Sequence, residues 1–108
     1  AHLTAIIDYN KWQATGRSQE VMAIEPLAAK WSAFGWHAQE IDGHNLETIH
    51  QALLAARAET NHPSVIIAHT LKGKGVSFME DDNNWHYRTP NGEELAAALA
   101  ELKLEVKP

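Results

Sequence analysis

The sequence predicts an α/β fold built on a parallel sheet. Two short, largely apolar runs at residues 3–7 and 65–68 and a further candidate strand at residues 36–41 alternate with stretches whose apolar residues recur at helical spacing. Polar segments at residues 8–16, 42–45 and 72–90 follow those runs. They fall where open α/β sheets gather their ligands, beyond the carboxyl ends of the strands.

Each element has a local reason. Leu3-Thr4-Ala5-Ile6-Ile7 reads as a strand buried on both faces, and Asp8-Tyr9-Asn10 ends it. The polar stretch from there to Ser18 contains Gly16 and reads as a loop. Pro26 suits a first helical turn, with Glu25 placing negative charge where a helix N-terminus favours it. Leu27, Trp31 and Phe34 follow at helical spacing, and Gly35 stops the helix. Residues 36–41 form a second strand closed by Asp42-Gly43. Asn45 caps a helix whose apolar stripe is Leu46, Ile49, Leu53 and Ala56. Val65-Ile66-Ile67-Ala68 is a third buried strand, and Asn91 caps a last helix with Leu95, Leu99 and Leu102 on one face. No repeat or linker interrupts this order, so one domain is expected over residues 1–108. A chain that opens on a central strand, in a sheet left with two open edges, reads as an excerpt of a larger domain.

Composition narrows the function. The chain has 108 residues, with 9 Lys and Arg against 14 Asp and Glu, a formal net charge of −5. An acidic chain without a basic run is unsuited to clamping nucleic acid or an anionic membrane. Without cysteine there is no disulfide, thiolate metal site or cysteine nucleophile. A 44% hydrophobic and 21% charged composition is that of a globular protein. No apolar run approaches the roughly 20 residues of a membrane span. A soluble, cytoplasmic protein is the expectation.

Several motifs resolve to ordinary structure. The seven histidines form neither His-Glu-x-x-His nor His-x-His, so a zinc site is not supported. His69, beside a buried strand, reads as a satisfied core histidine. Lys72-Gly73-Lys74-Gly75 lacks the spacing of a phosphate-cradling loop, and its glycines read as a sharp exit from the sheet. Glu80-Asp81-Asp82-Asn83-Asn84 lacks the calcium-loop ligand pattern and reads as a solvated acidic loop. Trp85 reads as a packing anchor for the long loop or as part of an interface. The oxygen donors of the first loop are different in kind. Asn10 at a strand end offers an uncharged side-chain carbonyl, and Trp12 offers a main-chain carbonyl if the loop folds back. Hard Mg²⁺ or Ca²⁺ accepts such oxygens together with phosphate and water. His86 stands in a loop, where an imidazole can donate to phosphate or move a proton.

Ile6-Ile7-Asp8-Tyr9-Asn10-Lys11-Trp12-Gln13-Ala14-Thr15-Gly16 resembles the closing half of the thiamine diphosphate motif, which Gly-Asp-Gly opens and an apolar strand ending in Asn closes. More narrowly, the chain resembles the transketolase family, above all the separate amino-terminal subunits of split transketolases. Ile41-Asp42-Gly43-His44-Asn45 is similar to that family's Asp-Gly-His-Asp turn, with Asn45 where Asp is commoner. The string from His69 to Glu80 resembles its third strand and following loop, and Trp85-His86 occupies the place of its Trp-His pair. The match spans nearly the whole chain in consistent order.

That resemblance implies a thiamine-diphosphate-binding α/β fold and the transfer of a two-carbon ketol unit from a ketose phosphate to an aldose phosphate. It implies thiamine diphosphate with Mg²⁺ or Ca²⁺ as cofactors. Asn10 would ligate the metal by its side chain and Trp12 by its backbone oxygen, Ala14 would lie against the cofactor rings, and His86 would face the diphosphate and the reacting carbons. It also implies a partner: a carboxy-terminal subunit or domain supplying the glutamate that activates the cofactor, in a homodimer or heterotetramer. The chain departs from the family in lacking Gly-Asp-Gly, whose Asp is the charged metal ligand. Tyr87-Arg88-Thr89-Pro90 also replaces the commoner Gly-Lys-Ala-Pro. Two other readings follow: a non-catalytic interaction domain that keeps the sheet alone, and a subunit of a related thiamine enzyme such as a pentulose-phosphate synthase.

Overall fold

Ser64–His69 is the strand around which the first part of the molecule is built, and the sequence explains why. Val65, Ile66 and Ile67 are at most 2% exposed, so this strand is covered on both faces. In the computed structural model, which describes residues 2–104, it is the fifth strand of the chain, β5. The strand β1 (Thr4–Tyr9) lies on one side of it and β4 (His37–Asp42) on the other, both parallel to it. The order is therefore β1-β5-β4, with Thr4 and His37 level with Ser64 and with Tyr9 and Asp42 level with His69. The α/β fold with a parallel sheet is thus observed.

The two faces carry different layers. On one, Tyr9, Val65 and Ile67 form a core with Ile7, Ile24, Leu27, Trp31, Trp36 and Ala38 packed against it. The helix α2 (Leu27–Ala33) covers this face, and Trp31 meets Trp36 edge-on at 4.7 Å. On the other face, Ile66 packs with Ala52 and Ala56 of α3 (Leu46–Ala58) and with Ile41. Asn45 caps α3 as expected, its side chain accepting from the Glu47 and Thr48 backbone N–H groups.

Three expectations about burial are corrected. The strand β1 is not buried on both faces: Ala5, Ile7 and Tyr9 face the core, while Ile6 is 62% exposed because α3 lies over β4 and β5 instead. The sheet-facing stripe of α3 is Ala52 and Ala56 with half-buried Ile49, and Leu46 and Leu53 are exposed. Small side chains let the helix approach closely enough for the Gln39 side chain to donate to the Ala52 carbonyl at 3.2 Å. Phe34, the C-cap of α2, is exposed because the helix ends one residue earlier, and Gly35 takes up the turn at φ +80°. The expected loop at residues 8–18 also contains structure. A two-residue pairing of β2 (Trp12–Gln13) with β3 (Gly16–Arg17) is followed by the single helical turn α1 (Ser18–Val21).

The chain falls into two compact units that meet at the Thr70–Leu71 bond. The second holds a looped segment, a 3-10 turn at Asn83–His86 and the helix α4 (Gly92–Glu101). Gly73 (φ +73°) has no room for a side chain, since a Cβ there would stand 2.6 Å from the Met79 carbonyl carbon. Asn91 and Glu94 form a reciprocal capping box at the start of α4. Ala98 is the buried residue of this helix, with Leu99 half-buried and Leu95 and Leu102 exposed, so the expected leucine face is also corrected. Among the described residues no helix is long and apolar enough to cross a membrane.

The α3 packing has a direct test. Ala52→Leu should destabilise the chain by about 1–3 kcal/mol through overpacking. Leu53→Ala, at an exposed position, should cost less than about 1 kcal/mol. Urea denaturation of the two variants distinguishes this register from the leucine-facing one.

Candidate functional site

Parallel register brings the ends of three strands level, and the loops that follow carry the polar groups. Tyr9 and Asp42 flank His69, so Asn10, Gly43 and Thr70 come next on neighbouring strands. The Gly43 N–H donates to the His69 carbonyl at 2.9 Å, and the Thr70 hydroxyl donates to the Asp8 carboxylate. Gly43 must be glycine here. A Cβ would come within 2.5 Å of Thr70 Cγ2 and 3.0 Å of Ala68 Cβ. The Asp42 side chain accepts from the His44 N–H at 2.9 Å, which shapes the turn into α3.

The loop after β1 folds back on itself. Asn10 Oδ1 accepts from the Trp12 N–H at 2.9 Å, an Asx turn. Between them Lys11 adopts φ 70°, left-handed backbone that costs a β-carbon-bearing residue about 1 kcal/mol. Its carbonyl accepts from the Ser18 N–H at 2.8 Å, joining the loop to the start of α1. The Trp12 ring lies under the Arg17 guanidinium at 3.7 Å. Ala14 is exposed in the turn between β2 and β3.

The Lys11 side chain is held from two directions. Its ammonium sits 3.5 Å from the centre of the Tyr9 ring and donates to Nδ1 of His69. An ammonium has only hydrogens to give, so Nδ1 accepts and the imidazole hydrogen lies on Nε2. That nitrogen donates to Glu40 Oε1 at 3.3 Å. Burial pulls the Lys11 pKa below its usual value, against the opposing charges of Glu25 and Glu40. Tyr9 donates from its hydroxyl to Glu25 at 2.7 Å, and burial followed by that carboxylate raises its pKa. His69 is therefore not a sealed core histidine. It is partly exposed and joins three polar residues. Sequence reasoning missed it, although its place at the end of a buried strand was the available signal.

His86 belongs to the second unit, where it ends the 3-10 turn, is exposed, and stacks edge-on against Tyr87 at 4.7 Å. The residue before it is the anchor: Trp85 donates to the Phe78 carbonyl at 3.0 Å, packs on the Phe78 ring at 5.4 Å and carries the Arg88 guanidinium at 4.2 Å. The acidic run is not simply solvated, because each of two carboxylates has an internal task. Asp82 accepts from the Asn84 N–H at 2.9 Å, and Glu80 accepts from the Gly75 N–H at 3.0 Å beside Lys74.

The structure thus places Asn10, Trp12 and Ala14 on one loop of the first unit and His86 on a turn of the second. Hard-cation chemistry suits the first group: carboxamide and main-chain carbonyl oxygens are neutral donors of the kind Mg²⁺ and Ca²⁺ accept. Among the described residues, no three His, Cys, Asp or Glu side chains cluster to hold a metal by themselves. A divalent ion here would need a charged ligand beyond these two oxygens.

A parallel α/β sheet with an oxygen-bearing loop at its carboxyl edge, beside a glycine that has no room for a β-carbon, is the arrangement in which open α/β folds gather their ligands. Sequence comparison assigns the particular family. The chain belongs to the family described as "Transketolase, thiamine diphosphate binding domain", whose profile matches residues 1–107. It is 47% identical over 104 residues to a protein of Clostridium sp. (strain MSTE9) named as a 6-deoxy-6-sulfo-D-fructose transketolase subunit, covering 96% of this chain and 38% of that one. It is 37% identical over 106 residues to an apulose-4-phosphate transketolase subunit of Phocaeicola vulgatus, covering 98% of this chain and 38% of that one. The crystal structure of transketolase from Campylobacter jejuni superposes with a TM-score of 0.87 at 25% identity, covering 95% of this chain and 16% of that one. The chain therefore spans 38% of the length of these two curated relatives.

The second unit makes a prediction with a definite sign. Glu101 accepts from the Ser77 N–H and from its hydroxyl, and these bonds, the backbone one first, hold its carboxyl below the usual 4.5. A lowered folded-state value contributes stability that is present above the unfolded pKa and lost as pH falls through the folded one. Acidification through the lowered Glu101 value, below 4.5, should therefore release Ser77. An NMR titration should show the Ser77 amide shift tracking the Glu101 carboxyl, and Glu101→Gln should abolish that titration.

Proposed function

We propose that this chain is the carboxy-terminal portion of the cofactor domain of a transketolase-type transferase, in the split form whose amino-terminal part is a separate subunit. The observation that carries the reading is the folded-back loop Asn10-Lys11-Trp12 at the carboxyl edge of the sheet, in a chain of the transketolase family. The relatives' names support the subunit form, since two of them are called transketolase subunits.

In this reading Asn10 holds Mg²⁺ or Ca²⁺ through Oδ1 and Trp12 through its carbonyl, and a charged ligand comes from residues outside this chain. A carboxamide oxygen has two lone pairs, so Asn10 keeps one for the ion while accepting from the Trp12 N–H. Ala14 lies against the cofactor's rings. Thiamine diphosphate, when bound, supplies an acidic ring carbon able to take up a two-carbon ketol unit and pass it on. His86 donates to the diphosphate or the sugar hydroxyls, and moves a proton at the oxygen whose bonding changes. The substrates are a ketose phosphate donor and an aldose phosphate acceptor. The partner is a carboxy-terminal subunit or domain carrying the activating glutamate, in a homodimer or heterotetramer, and the setting is the cytoplasm.

The test uses the full-length protein with its partner subunit. Ketol transfer from a ketose phosphate should require thiamine diphosphate and a divalent ion, and His86→Ala should lower turnover by about 10²-fold or more with little change in cofactor affinity. Unchanged turnover removes the role given to His86. The 108-residue chain alone, offering only two neutral oxygens, should show no micromolar heat of binding with Mg²⁺ and thiamine diphosphate in calorimetry. Absence of transfer by the full-length assembly would favour the non-catalytic reading.

A further inference from the structure

We propose that His69 is a positioning residue for the Asn10–Trp12 loop: through Lys11 it holds that loop in the one conformation in which Asn10 folds back on Trp12. The inference rests on the reading of this loop as a metal loop, and it concerns a residue to which that reading gives no role.

The geometry runs in one direction. Lys11 occupies left-handed backbone at φ 70°, a conformation a lysine leaves unless something holds it. Its carbonyl is fixed by the Ser18 N–H at 2.8 Å, and its neighbours Asn10 and Trp12 are joined across it at 2.9 Å. These are local bonds that a mobile loop can exchange for water. The long-range restraint is the side chain, which reaches from residue 11 to residue 69 to donate into the Nδ1 lone pair of His69. On the way the ammonium packs on the face of Tyr9, the neighbour of His69 across the sheet. Glu40 supplies the third point. By accepting from Nε2 at 3.3 Å it keeps the hydrogen off Nδ1, so the lone pair faces Lys11. His69 itself is held by β5, the most buried strand of the fold. The anchor is therefore part of the buried sheet, to which the side chain ties the loop.

Amide hydrogen exchange reads this without any ligand. In the chain as it stands, His69→Phe keeps a ring against Tyr9 and removes the acceptor. Exchange at the Trp12 and Ser18 amides should rise by about tenfold, with the Ile66 and Ile67 amides unchanged. His69→Asn, which places a carboxamide oxygen near the position of Nδ1, should restore protection to within about threefold of the parent. Lys11→Met, which cannot donate, should reproduce the His69→Phe effect if the latter fails to fold. In a Lys11→Gly background, His69→Phe should change Trp12 exchange by less than about twofold, because nothing remains for it to hold. Unchanged exchange in both His69→Phe and Lys11→Met overturns the proposal, as does a full His69→Phe effect in the Lys11→Gly background. In the full-length protein, the affinity for Mg²⁺ in the presence of thiamine diphosphate should fall about tenfold in His69→Phe. Faster exchange with unaltered Mg²⁺ affinity overturns the positioning role. A parent protein that binds no Mg²⁺ overturns the metal-loop reading instead, and the exchange result still decides whether His69 holds the loop.

Discussion

Hydrogen bonding of β5 on both edges, in parallel register, is the constraint on which the first unit depends. Parallel pairing ties the ends of strands together: once Tyr9 and Asp42 are level with His69, the residues after them must emerge side by side. The Gly43 N–H then reaches the His69 carbonyl, and Thr70 reaches Asp8. No side chain at position 43 could pass Thr70 and Ala68, so the register also explains why Asp42-Gly43 closes its strand. The chemistry of the loop after β1 follows from the same constraint. Asn10 lies where it does because Asp8 and Tyr9 are held by the strand that buries Val65 and Ile67.

Apolar surface follows a second rule. The face made by Ala5, Ile7, Tyr9, Val65 and Ile67 is covered by residues of one connected stretch, from Ile24 to Ala38. The opposite face is covered by α3 only above β5 and β4, and it leaves Leu3, Ile6, Leu53 and Leu54 between 42% and 62% exposed. A shallow groove of about 280 Å³ runs between residues 2–4 and the α3 residues Leu53, Ala56 and Arg57.

The sequence was legible where the signal was local. Asn45 and Asn91 were readable as caps because an N-cap needs only a short acceptor and the next few N–H groups. The first and last of the three strands were readable because β-branched runs are distinctive, the middle one from the Asp42-Gly43 turn that closes it, and the loops followed from the strand ends. What was not legible depended on neighbours. Ala56 was readable as part of the stripe, but Ala52 outranks Leu53 on the inner face of α3 because the sheet demands close approach, which helical periodicity cannot weigh against leucine. The β2–β3 pairing is two residues long, too short to show a pattern. For the candidate site, Asn10 and Trp12 were readable as oxygen donors from residue type. The Lys11–His69–Glu40 chain was not, since its members are far apart in sequence and meet only because β4, β5 and the loop after β1 end together.

Electrostatics adds the last step. A lysine between two proposed ligands of a divalent ion looks unfavourable, because like charges a few ångströms apart repel by kilocalories when water is scarce. The structure resolves this by committing the ammonium elsewhere. Its charge rests on the face of Tyr9 and on an imidazole lone pair, with Glu25 and Glu40 near enough to act on it. Both carboxylates are themselves tied, Glu25 by the Tyr9 hydroxyl and Glu40 by His69. The same contacts that hold the backbone of Lys11 in left-handed conformation therefore also fix where its charge sits. Position and charge at this loop are one arrangement, so a substitution that frees the side chain of Lys11 alters both together.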